Sequence, residues 1–479
     1  DVINLVQEDK FGFDKSRLLN DFEIKKDIEN VTGNEYHEPT KFVDDQNEKI
    51  DTISDEVIHE DTKIPDNSIV LDDNNFNNET IYEDTKVPDN PIFLDNNNHN
   101  DVDTQENKTT STLKTDEDHR IRLGTVDGSN NKIYWEYDNE QLANRHMLIT
   151  GKSGQGKTYF IQTLLLEFAK SKIDSLVIDY TDSYLPGQLD PILEKNTKIN
   201  QHIVMQEKLP INPFKRAEFS IGDYSQLENV QDVVSRVAEV MDFVFNLGIQ
   251  QKSHLITIMN DGMRINSRYT FTMLKNKLLD EDELSLYGRI QPLLDNDPFS
   301  YSDDDFDWSD YFGKNGQINI IQLSRFTRTV QNAMIEFILW DLFNYSQMKS
   351  DKHLIYPIFL DEVQNLNFAA DAPTVKILRE GRKFGWSGIF ATQSLSSIKG
   401  EVDAIYNTAE QVHFLPPENQ TKVIAKTLSS ERQLQNIYEQ KLSNLLKGQC
   451  IVNGPVMRED GKLVKNANTI NIDSLSDRL

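Results

Sequence analysis

A glycine-rich loop between an apolar run and an apolar-periodic helix constrains the fold of this chain more than any other stretch. Residues 147–149 are apolar and predict a buried strand, and Leu164, Leu165 and Phe168 recur with helical spacing farther on. Between them, residues 151–158 read GKSGQGKT and match the phosphate-binding pattern GxxxxGK followed by Ser or Thr. The stretch therefore predicts a strand, a phosphate-binding loop and a helix, in that order.

The residue types in this loop suit a polyphosphate ligand. Glycines allow positive φ and let backbone N–H groups approach the phosphates at a positive helix N-terminus. Lys157 would reach the β and γ phosphates, and the Thr158 hydroxyl would hold Mg²⁺. The alternative is a glycine turn whose lysine points into solvent, but the flanking strand and helix favour nucleotide binding. The predicted nucleotide-binding residues are Gly151, Lys152, Ser153, Gly154, Gln155, Gly156, Lys157 and Thr158.

Acidic residues are concentrated in the first quarter of the 479-residue chain. Residues 1–118 contain 32 of the 78 acidic side chains but only 11 of the 50 basic ones. Within them, residues 58–98 hold a tandem repeat with a shift of 23 positions, rich in Asp, Asn, Glu and Thr. Two such copies bury too little apolar surface to offset chain entropy, so we expect residues 1–118 to be largely disordered. The repeats are either a pair of short docking motifs or a solvated spacer.

Cysteine content and hydropathy indicate in which cellular compartment the protein is expected. Cys450 is the single cysteine, so it forms no internal disulfide, which favours a reducing cytoplasm. No run approaches the roughly eighteen apolar residues of a membrane span, and no secretion signal opens the sequence. We therefore expect a cytoplasmic protein with no membrane partner. Because the first residue is Asp1, we also expect the sequence to be the C-terminal part of something longer.

Strand and helix patterns alternate over residues 119–479, which predicts an α/β fold. Residues 121–125 and 132–137 predict a hairpin before the loop, and residues 175–180 predict a buried strand after the loop helix. This βαβ unit implies a parallel sheet. Residues 317–323 predict one more strand of that sheet.

A helical insertion is expected at about residues 222–300, where apolar positions such as Val233, Val237 and Met241 recur on one stripe. The insertion also carries basic side chains. They either contact nucleic acid or form an ordinary solvated helix face. These side chains are Lys252, Arg264, Arg268, Lys275 and Lys277.

Two adjacent carboxylates follow a predicted apolar strand at residues 358–360. If this strand lies beside the strand before the phosphate loop, Asp361 would hold the hydration shell of Mg²⁺. Glu362 would then sit where a carboxylate can orient and deprotonate the attacking water. Acidic pairs after strands are common by chance, but this one follows the phosphate loop in the required order. We therefore predict Thr158 and Asp361 as the Mg²⁺ site and Glu362 as the catalytic base.

A basic helix end and a polar strand tip complete the candidate site. Gln393 closes a predicted strand at residues 388–392 and is either a sensor of the γ-phosphate or a strand-end amide that caps a turn. Arg379 and Arg382 either contact the nucleotide of an adjacent subunit or form salt bridges within the fold. The predicted catalytic residues are Lys157, Glu362, Arg379, Arg382 and Gln393.

With these pieces in order, residues 119–455 resemble the HerA and FtsK superfamily of hexameric DNA-translocating ATPases, above all its HerA-like branch. The resemblance is carried by RHMLITGKSGQGKT, INPF, FLDEVQNL, ILREGRKFG, ATQ and KGQCIVNGP. It implies a RecA-like core with a central, mostly parallel sheet, ATP and Mg²⁺ as ligands, and a homohexamer on double-stranded DNA. It also implies water activation at Glu362, γ-phosphate sensing at Gln393, and an arginine contact across subunits.

Within this branch, the sequence is also similar to the C-terminal ATPase part of restriction proteins of DNA phosphorothioation systems. That similarity implies phage defence as the setting, with a nuclease or other defence-system proteins as partners. HerA carries a fuller N-terminal β-barrel, whereas only a short predicted hairpin precedes the phosphate loop here.

Two functions from different classes stay open at the level of sequence. In the first, ATP hydrolysis drives movement of duplex DNA through a ring. In the second, ATP binding and slow hydrolysis switch the assembly of a protein complex through the acidic region. A vestigial adaptor is disfavoured because Lys157, Thr158, Asp361 and Glu362 are all present, and a GTPase is disfavoured because no NKxD sequence follows the loop.

Overall fold

Thirteen strands form one mixed sheet, and a two-stranded hairpin stands apart from it. The computed structural model describes residues 120–137, 139, 142–221, 224–301, 306–349, 355–464 and 467–479. The acidic region at residues 1–118, with its repeats and its expected disorder, lies outside the described residues. The strands of the sheet are β1 (Arg120–Val126), β2 (Lys132–Glu136), β3 (Met147–Thr150), β4 (Ser175–Asp179), β5 (Lys198–Ile203), β8 (Gln317–Gln322), β9 (Tyr356–Leu360), β10 (Trp386–Thr392), β11 (Glu410–His413), β12 (Gln449–Asn453), β13 (Val456–Arg458), β14 (Leu463–Val464) and β15 (Asn468–Asn471). The separate hairpin is formed by β6 (Glu218–Ile221) and β7 (Tyr224–Leu227).

Seven adjacent parallel strands make up the half of the sheet that carries the site. Their order is β11, β3, β10, β9, β4, β8 and β5. Every residue of β3, β4, β9 and β10 is buried. Such continuous apolar strands form because helices cover both faces of a parallel sheet. The predicted α/β fold with a parallel core is therefore confirmed.

Strand β10 lies between β3 and β9, so the strand that leads to Asp361 is not the direct neighbour of the phosphate-loop strand. Phe390 of β10 aligns with Leu148 on one side and with Leu360 on the other. The expectation that these two strands adjoin is wrong, because crossover connections set strand order independently of the order along the chain. The carboxyl ends of all three strands nevertheless meet at one edge, since the strands are parallel.

The other half of the sheet is antiparallel and continues from β11 through β12, β15, β1, β2, β13 and β14. The predicted hairpin of β1 and β2 is confirmed, and its register shifts between Arg122 and Gly124. Strands β13, β14 and β15 were not predicted, because they have only 3, 2 and 4 residues. Of their side chains, those of Val456 and Ile470 are buried. The hairpin is thus one part of a larger antiparallel layer.

Helices cover both faces of the sheet and enclose two apolar cores. The helices are α1 (Lys157–Lys170), α2 (Pro191–Asn196), α3 (Val230–Phe245), α4 (Ile249–Ile265), α5 (Phe271–Asp280), α6 (Leu284–Asn296), α7 (Arg328–Lys349), α8 (Pro373–Glu380), α9 (Val402–Tyr406), α10 (Glu418–Leu428) and α11 (Arg432–Ser443). The alternation of β3 separates the cores, with Leu148 in one and Met147 and Ile149 in the other. Helix α1 contributes Phe160 and Leu164 to the second core.

The helical insertion consists of α3 to α6, and the hairpin of β6 and β7 precedes it. The prediction started the insertion at about residue 222; strands β6 and β7 pair at Glu218–Ile221 and Tyr224–Leu227, and the first helix begins at Val230. The stripe that contains Val233, Val237 and Met241 packs into the larger core, as predicted. Across the part of the chain that the structure describes, no helix has both the length and the apolar character required to cross a membrane.

Candidate nucleotide-binding site

The phosphate loop leaves β3 and enters α1 in a conformation that depends on glycine. Gly151, Gly154 and Gly156 have φ values of 147°, 77° and 110°, which L side chains rarely adopt. At Gly151 there is also no room for a side chain, because a Cβ atom there would lie 2.6 Å from the Cβ atom of Phe414. No side chain caps the N-terminus of α1. The first N–H groups of this helix therefore remain available to an anion.

Contacts from neighbouring segments hold the loop in place. Thr150 Oγ1 and His413 Nδ1 lie 2.7 Å apart between β3 and β11. Burial lowers the pKa of His413 to about 4, so its ring is neutral near pH 7. The Lys152 N–H donates to the Leu415 carbonyl at 2.9 Å, and the Gly448 N–H donates to a loop carbonyl. The sequence offered a signal only for Gly448, within KGQC; His413 and Leu415 were missed.

Lys157 lies at the centre of the loop and is 6% exposed. Its Nζ donates to the carbonyls of Gly151 and Lys152 at 2.8 and 3.2 Å. Burial lowers the pKa of this ammonium, and the nearby charges of Asp361 and Glu362 oppose that shift. The structure therefore brings the two carboxylates and the loop lysine together, as the sequence predicted.

Asp361 follows β9 directly and is buried at the carboxyl edge of the sheet. Burial and the charge of Glu362 raise the pKa of Asp361 to about 6, although Lys157 acts in the opposite direction. The Glu362 N–H donates to Asp361 Oδ1 at 2.8 Å, and the Tyr180 hydroxyl donates to the Asp361 carbonyl. The carboxyl group is thus fixed in an environment that a cation would stabilise.

Glu362 adopts a left-handed backbone conformation with φ of 54°, which is uncommon for a residue other than glycine. Its carboxylate accepts one hydrogen bond from the Gln393 amide and another from the Gln364 amide. Gln364 in turn accepts a hydrogen bond from the Thr392 hydroxyl at 2.6 Å. The predicted Gln393 therefore reaches the site. Gln364 and Thr392 were missed, although they stand in the motif stretches FLDEVQNL and ATQ.

The residues around Asp361 fit a magnesium ion that also contacts nucleotide phosphates. Thr158 is the second residue of α1, next to Lys157, and Asp361 would contribute an oxygen ligand of the type that Mg²⁺ prefers. No group of three or more His, Cys, Asp or Glu side chains that could bind a metal exists among the described residues. These residues therefore suit a Mg²⁺ ion that is bound by one or two protein oxygens, with nucleotide phosphates and water as its other ligands.

The two predicted arginines form contacts within their own chain with residues outside the phosphate loop. Arg379 forms an ion pair with Glu401, and its side chain keeps 48% of its exposure. Arg382 donates to the Ala143 carbonyl at 3.1 Å, before the amino end of β3, on the edge of the sheet opposite the loop. Within one chain, neither arginine is brought to the site, and their contact with a neighbouring subunit stays a prediction.

Most of the basic residues singled out in the insertion are neutralised locally. Three of the five form ion pairs with acidic neighbours, which favours the interpretation as a solvated helix face. The pairs are Lys252 with Asp242 at 2.8 Å, Lys275 with Asp295 at 2.6 Å and Lys277 with Glu281 at 2.7 Å.

The same elements define the relationship of this chain to known proteins. A family profile described as "Helicase HerA, central domain" matches residues 121–342, from the first hairpin through the phosphate loop and the insertion into α7. This match supports a place for the matched region in the HerA/FtsK superfamily of P-loop ATPases. Comparison of this chain with curated proteins gave no match.

Several solved structures are similar to this chain at low sequence identity. VirB4 of Thermoanaerobacter pseudethanolicus is 14% identical, with a TM-score of 0.51 over 74% of this chain and 96% of that chain. The bacterial conjugative coupling protein TrwB in complex with sulphate is also 14% identical, with a TM-score of 0.45 over 69% of this chain and 84% of that chain. TrwB in complex with ADP and Mg²⁺ is 16% identical, with a TM-score of 0.43 over 69% of this chain and 85% of that chain. The VirB4 similarity supports the α/β ATPase fold.

Proposed function

We propose that this HerA/FtsK ATPase hydrolyses ATP, with Mg²⁺, to move double-stranded DNA as a homohexamer. The main support is that Lys157, Asp361, Glu362 and Gln393 converge on one edge of the sheet. A loop lysine, an acidic strand end and a polar group from the strand between them are the parts that phosphoryl transfer requires. The match of residues 121–342 to the central domain of helicase HerA supports DNA movement as the use of that hydrolysis.

Binding of the triphosphate is the task of the loop. Its N–H groups and the uncapped start of α1 would surround the phosphates. The Lys157 ammonium, which donates to two loop carbonyls, would donate to the β and γ phosphate oxygens instead. Thr158 and Asp361 would hold Mg²⁺, which when bound bridges phosphate oxygens and offsets their charge.

Activation of the attacking water is the task of Glu362. Its carboxylate would accept a proton from that water as the water oxygen attacks the γ-phosphorus. The bond between the γ-phosphorus and the bridging oxygen then breaks, and ADP leaves. The amides of Gln393 and Gln364 fix the orientation of this carboxylate. Gln393 follows the strand that lies between the phosphate-loop strand and the strand before Asp361. When ATP binds, its amide would exchange the hydrogen bond to Glu362 for one to a γ-phosphate oxygen. Gln393 would thus report the state of the nucleotide to β10.

In a hexamer, a neighbouring subunit would supply an arginine to the nucleotide. Arg379 donates to Glu401 and Arg382 to the Ala143 carbonyl of their own chain. An arginine of a neighbouring subunit can stabilise the charge that develops on the transferred phosphoryl group. We propose that one of the two makes this contact across the subunit boundary. Arg379, with its half-exposed side chain, has the greater freedom to do so.

We place the motor in the cytoplasm, in DNA processing or in a phage-defence restriction system. The sequence similarity to restriction proteins of DNA phosphorothioation systems supports this setting, with a nuclease or another defence protein as partner. The alternative is an ATP-dependent switch that controls assembly of a protein complex. It is supported by the uneven charge of the chain, with 32 acidic side chains in residues 1–118.

The rate of ATP hydrolysis and the particle mass, each with and without linear duplex DNA, separate the two functions. For a motor we expect duplex DNA to raise the rate several-fold and to favour a ring of six chains, and Lys157→Ala should abolish the stimulated rate. A rate that ignores DNA, in particles smaller than a hexamer, would contradict the motor and favour the switch.

A further inference from the structure

A groove that the proposed reaction does not use opens between α3, α7 and residues 367–373, which connect the region of Glu362 to α8. Its two adjoining parts have volumes of about 480 Å³ and about 410 Å³. Glu239, Trp340 and Asp371 line both parts. We refer to it as the Trp340 groove.

The Trp340 groove is acidic. Carboxyl side chains outnumber cationic ones in its lining, and two of the cations are already paired with carboxylates. The third cation, Lys376, lies over the Trp340 ring with Nζ 4.6 Å from the ring centroid. Glu239 and Asp371 form no ion pair with any other described residue. The groove therefore has carboxylate charge that the rest of the described chain does not neutralise.

A buried carboxyl group with an unused oxygen faces the deeper part of the Trp340 groove. Glu336 of α7 lines the 480 Å³ cavity and has 0% exposure. One of its oxygens accepts the Asn367 N–H at 3.0 Å, whereas Oε2 has no hydrogen-bond partner among the described residues. Burial raises the pKa of this carboxyl group to about 8. An unpaired buried carboxyl oxygen is costly. A cationic side chain that enters from the groove would pair with this carboxyl group in place of the proton that the group otherwise keeps below about pH 8.

We propose that the Trp340 groove binds a lysine- or arginine-bearing segment of a partner protein. Glu239 and Asp371 would hold cationic groups near the surface. One long side chain would extend inward toward the Glu336 carboxyl group, and it would reach the buried Oε2 only after neighbouring side chains move aside. The aliphatic stem of that side chain would pack against Trp340 and the 40%-exposed ring of Phe243. Nucleic acid is the wrong occupant, because its phosphates would meet carboxylates of the same charge.

The position of the groove suggests how such a partner would influence ATP turnover. Asn367 donates its N–H to Glu336 and lies five positions after Glu362 along a short connection that contains Gln364. A cation bound at Glu336 would therefore act on the segment that also orients the water-activating carboxylate. The groove is formed by residues outside the catalytic set, so this proposal stands or falls independently of DNA movement.

The proposal is tested with a fluorescein-labelled peptide of alternating lysine and alanine. Its binding to the full chain is measured by fluorescence anisotropy in the absence of nucleotide. Because residues 1–118 are strongly acidic, they will also bind polycations. The informative comparison is therefore between variants. We expect Glu336→Gln, and separately the double variant Glu239→Gln/Asp371→Asn, to weaken the tightest binding phase about tenfold.

A charge-matched control separates the groove from general electrostatic attraction. The double variant Glu418→Gln/Asp282→Asn removes the same charge at exposed positions outside the groove, and we expect its affinity for the peptide to match that of the unchanged chain. Thermal unfolding of each variant checks that the fold is retained. Trp340→Phe is a further groove variant that leaves the charge unchanged. We expect it to weaken binding because the aliphatic part of the bound side chain loses its packing against the larger ring.

Three results of the variant and competition measurements would overturn the proposal, and a fourth comes from acetylation of the peptide. The three are equal weakening in the control and groove variants, no weakening in a folded Glu336→Gln variant, and displacement of the peptide by spermidine at the same concentration of positive charge. The last result would identify a site for small polycations instead of a polypeptide. Acetylation of the peptide lysines should abolish the groove-dependent phase, and binding that persists would also contradict it.

Discussion

The side-chain amide of Gln393 donates a hydrogen bond to Oε1 of Glu362, which links the end of β10 to the residue after Asp361. This contact holds the carboxylate in one orientation. We expect Gln393→Ala to lower kcat for ATP hydrolysis by about tenfold to a hundredfold, because a misplaced catalytic group loses much of its effect. Affinity for ATP should change little, since the phosphate loop is untouched.

Steady-state ATPase kinetics and binding of a fluorescent ATP analogue measure the two quantities. Gln440→Ala on the exposed face of α11 is the matched control and should behave like the unchanged chain. A Gln393→Ala variant with normal kcat would show that the amide only caps the end of its strand.

Glycine is required at two loop positions for different reasons, and alanine substitutions separate them. Gly151 and Gly154 both have positive φ, but only at Gly151 would a Cβ atom meet a neighbour, the Cβ atom of Phe414 at 2.6 Å. We expect Gly151→Ala to reduce the free energy of unfolding by about 1–3 kcal/mol more than Gly154→Ala. Chemical denaturation measures this difference, and equal losses in the two variants would contradict the described packing of the loop against Phe414.

Magnesium dependence should change with pH because of Asp361. Its pKa is raised to about 6 by burial and by the charge of Glu362. Below that pH the carboxyl group is protonated, and a protonated carboxyl group is a poor metal ligand. The Mg²⁺ concentration for half-maximal turnover should therefore rise as pH falls below about 6 and stay constant above it.

The Mg²⁺ requirement is measured by titrating Mg²⁺ in ATPase assays at pH values above and below that pKa. Binding of Mg²⁺ to ATP itself is measured under the same conditions, and its contribution is subtracted. An unchanged Mg²⁺ requirement would argue that Asp361 is not a ligand.

Folding stability should carry a pH dependence that originates at Glu336. Burial raises its pKa from 4.5 to about 8 in the folded chain. Between these values the folded state keeps a proton that the unfolded state has lost, so this group's contribution to stability falls as pH rises and is lost once pH exceeds about 8. The slope from one such group is at most about 1.4 kcal/mol per pH unit.

Glu336→Gln removes that slope, so denaturation curves at two pH values within the window should show a smaller loss of stability in the variant. Buried Glu410, whose pKa is also raised by burial, is present in both chains and cancels. Parallel pH profiles for the two chains would show that the Glu336 carboxyl group is not perturbed by folding.

Individual strands and helices of this fold could be predicted from sequence because each depends on the spacing of apolar residues and glycines within its own segment. Residues 147–170 show this most clearly, since apolar runs, three glycines and helical spacing define strand, loop and helix without tertiary information. The strand before Asp361 and the strand before Gln393 were predicted on the same basis. Parallel strands share an edge, and so the convergence of Lys157, Asp361 and Glu362 also followed.

Features that depend on tertiary contacts could not be predicted. The placement of β10 between β3 and β9 is set by crossover connections, which leave no periodic signal. His413 reaches Thr150 only because β11 pairs with β3. Strands β13 to β15 are too short to show alternation. The buried Glu336 stands in an otherwise apolar helix face, and nothing in the pattern of α7 indicates its contact with Asn367.

The most direct test of the site is the comparison of Glu362→Gln with Lys157→Ala. The glutamine variant keeps the size of the side chain and the loop that binds phosphate, but it cannot accept a proton. We expect it to bind ATP about as tightly as the unchanged chain while turnover falls by about a hundredfold or more, whereas Lys157→Ala should lose ATP binding as well. A Glu362→Gln variant that hydrolyses ATP at the normal rate would contradict the assignment of Glu362 as the residue that activates water.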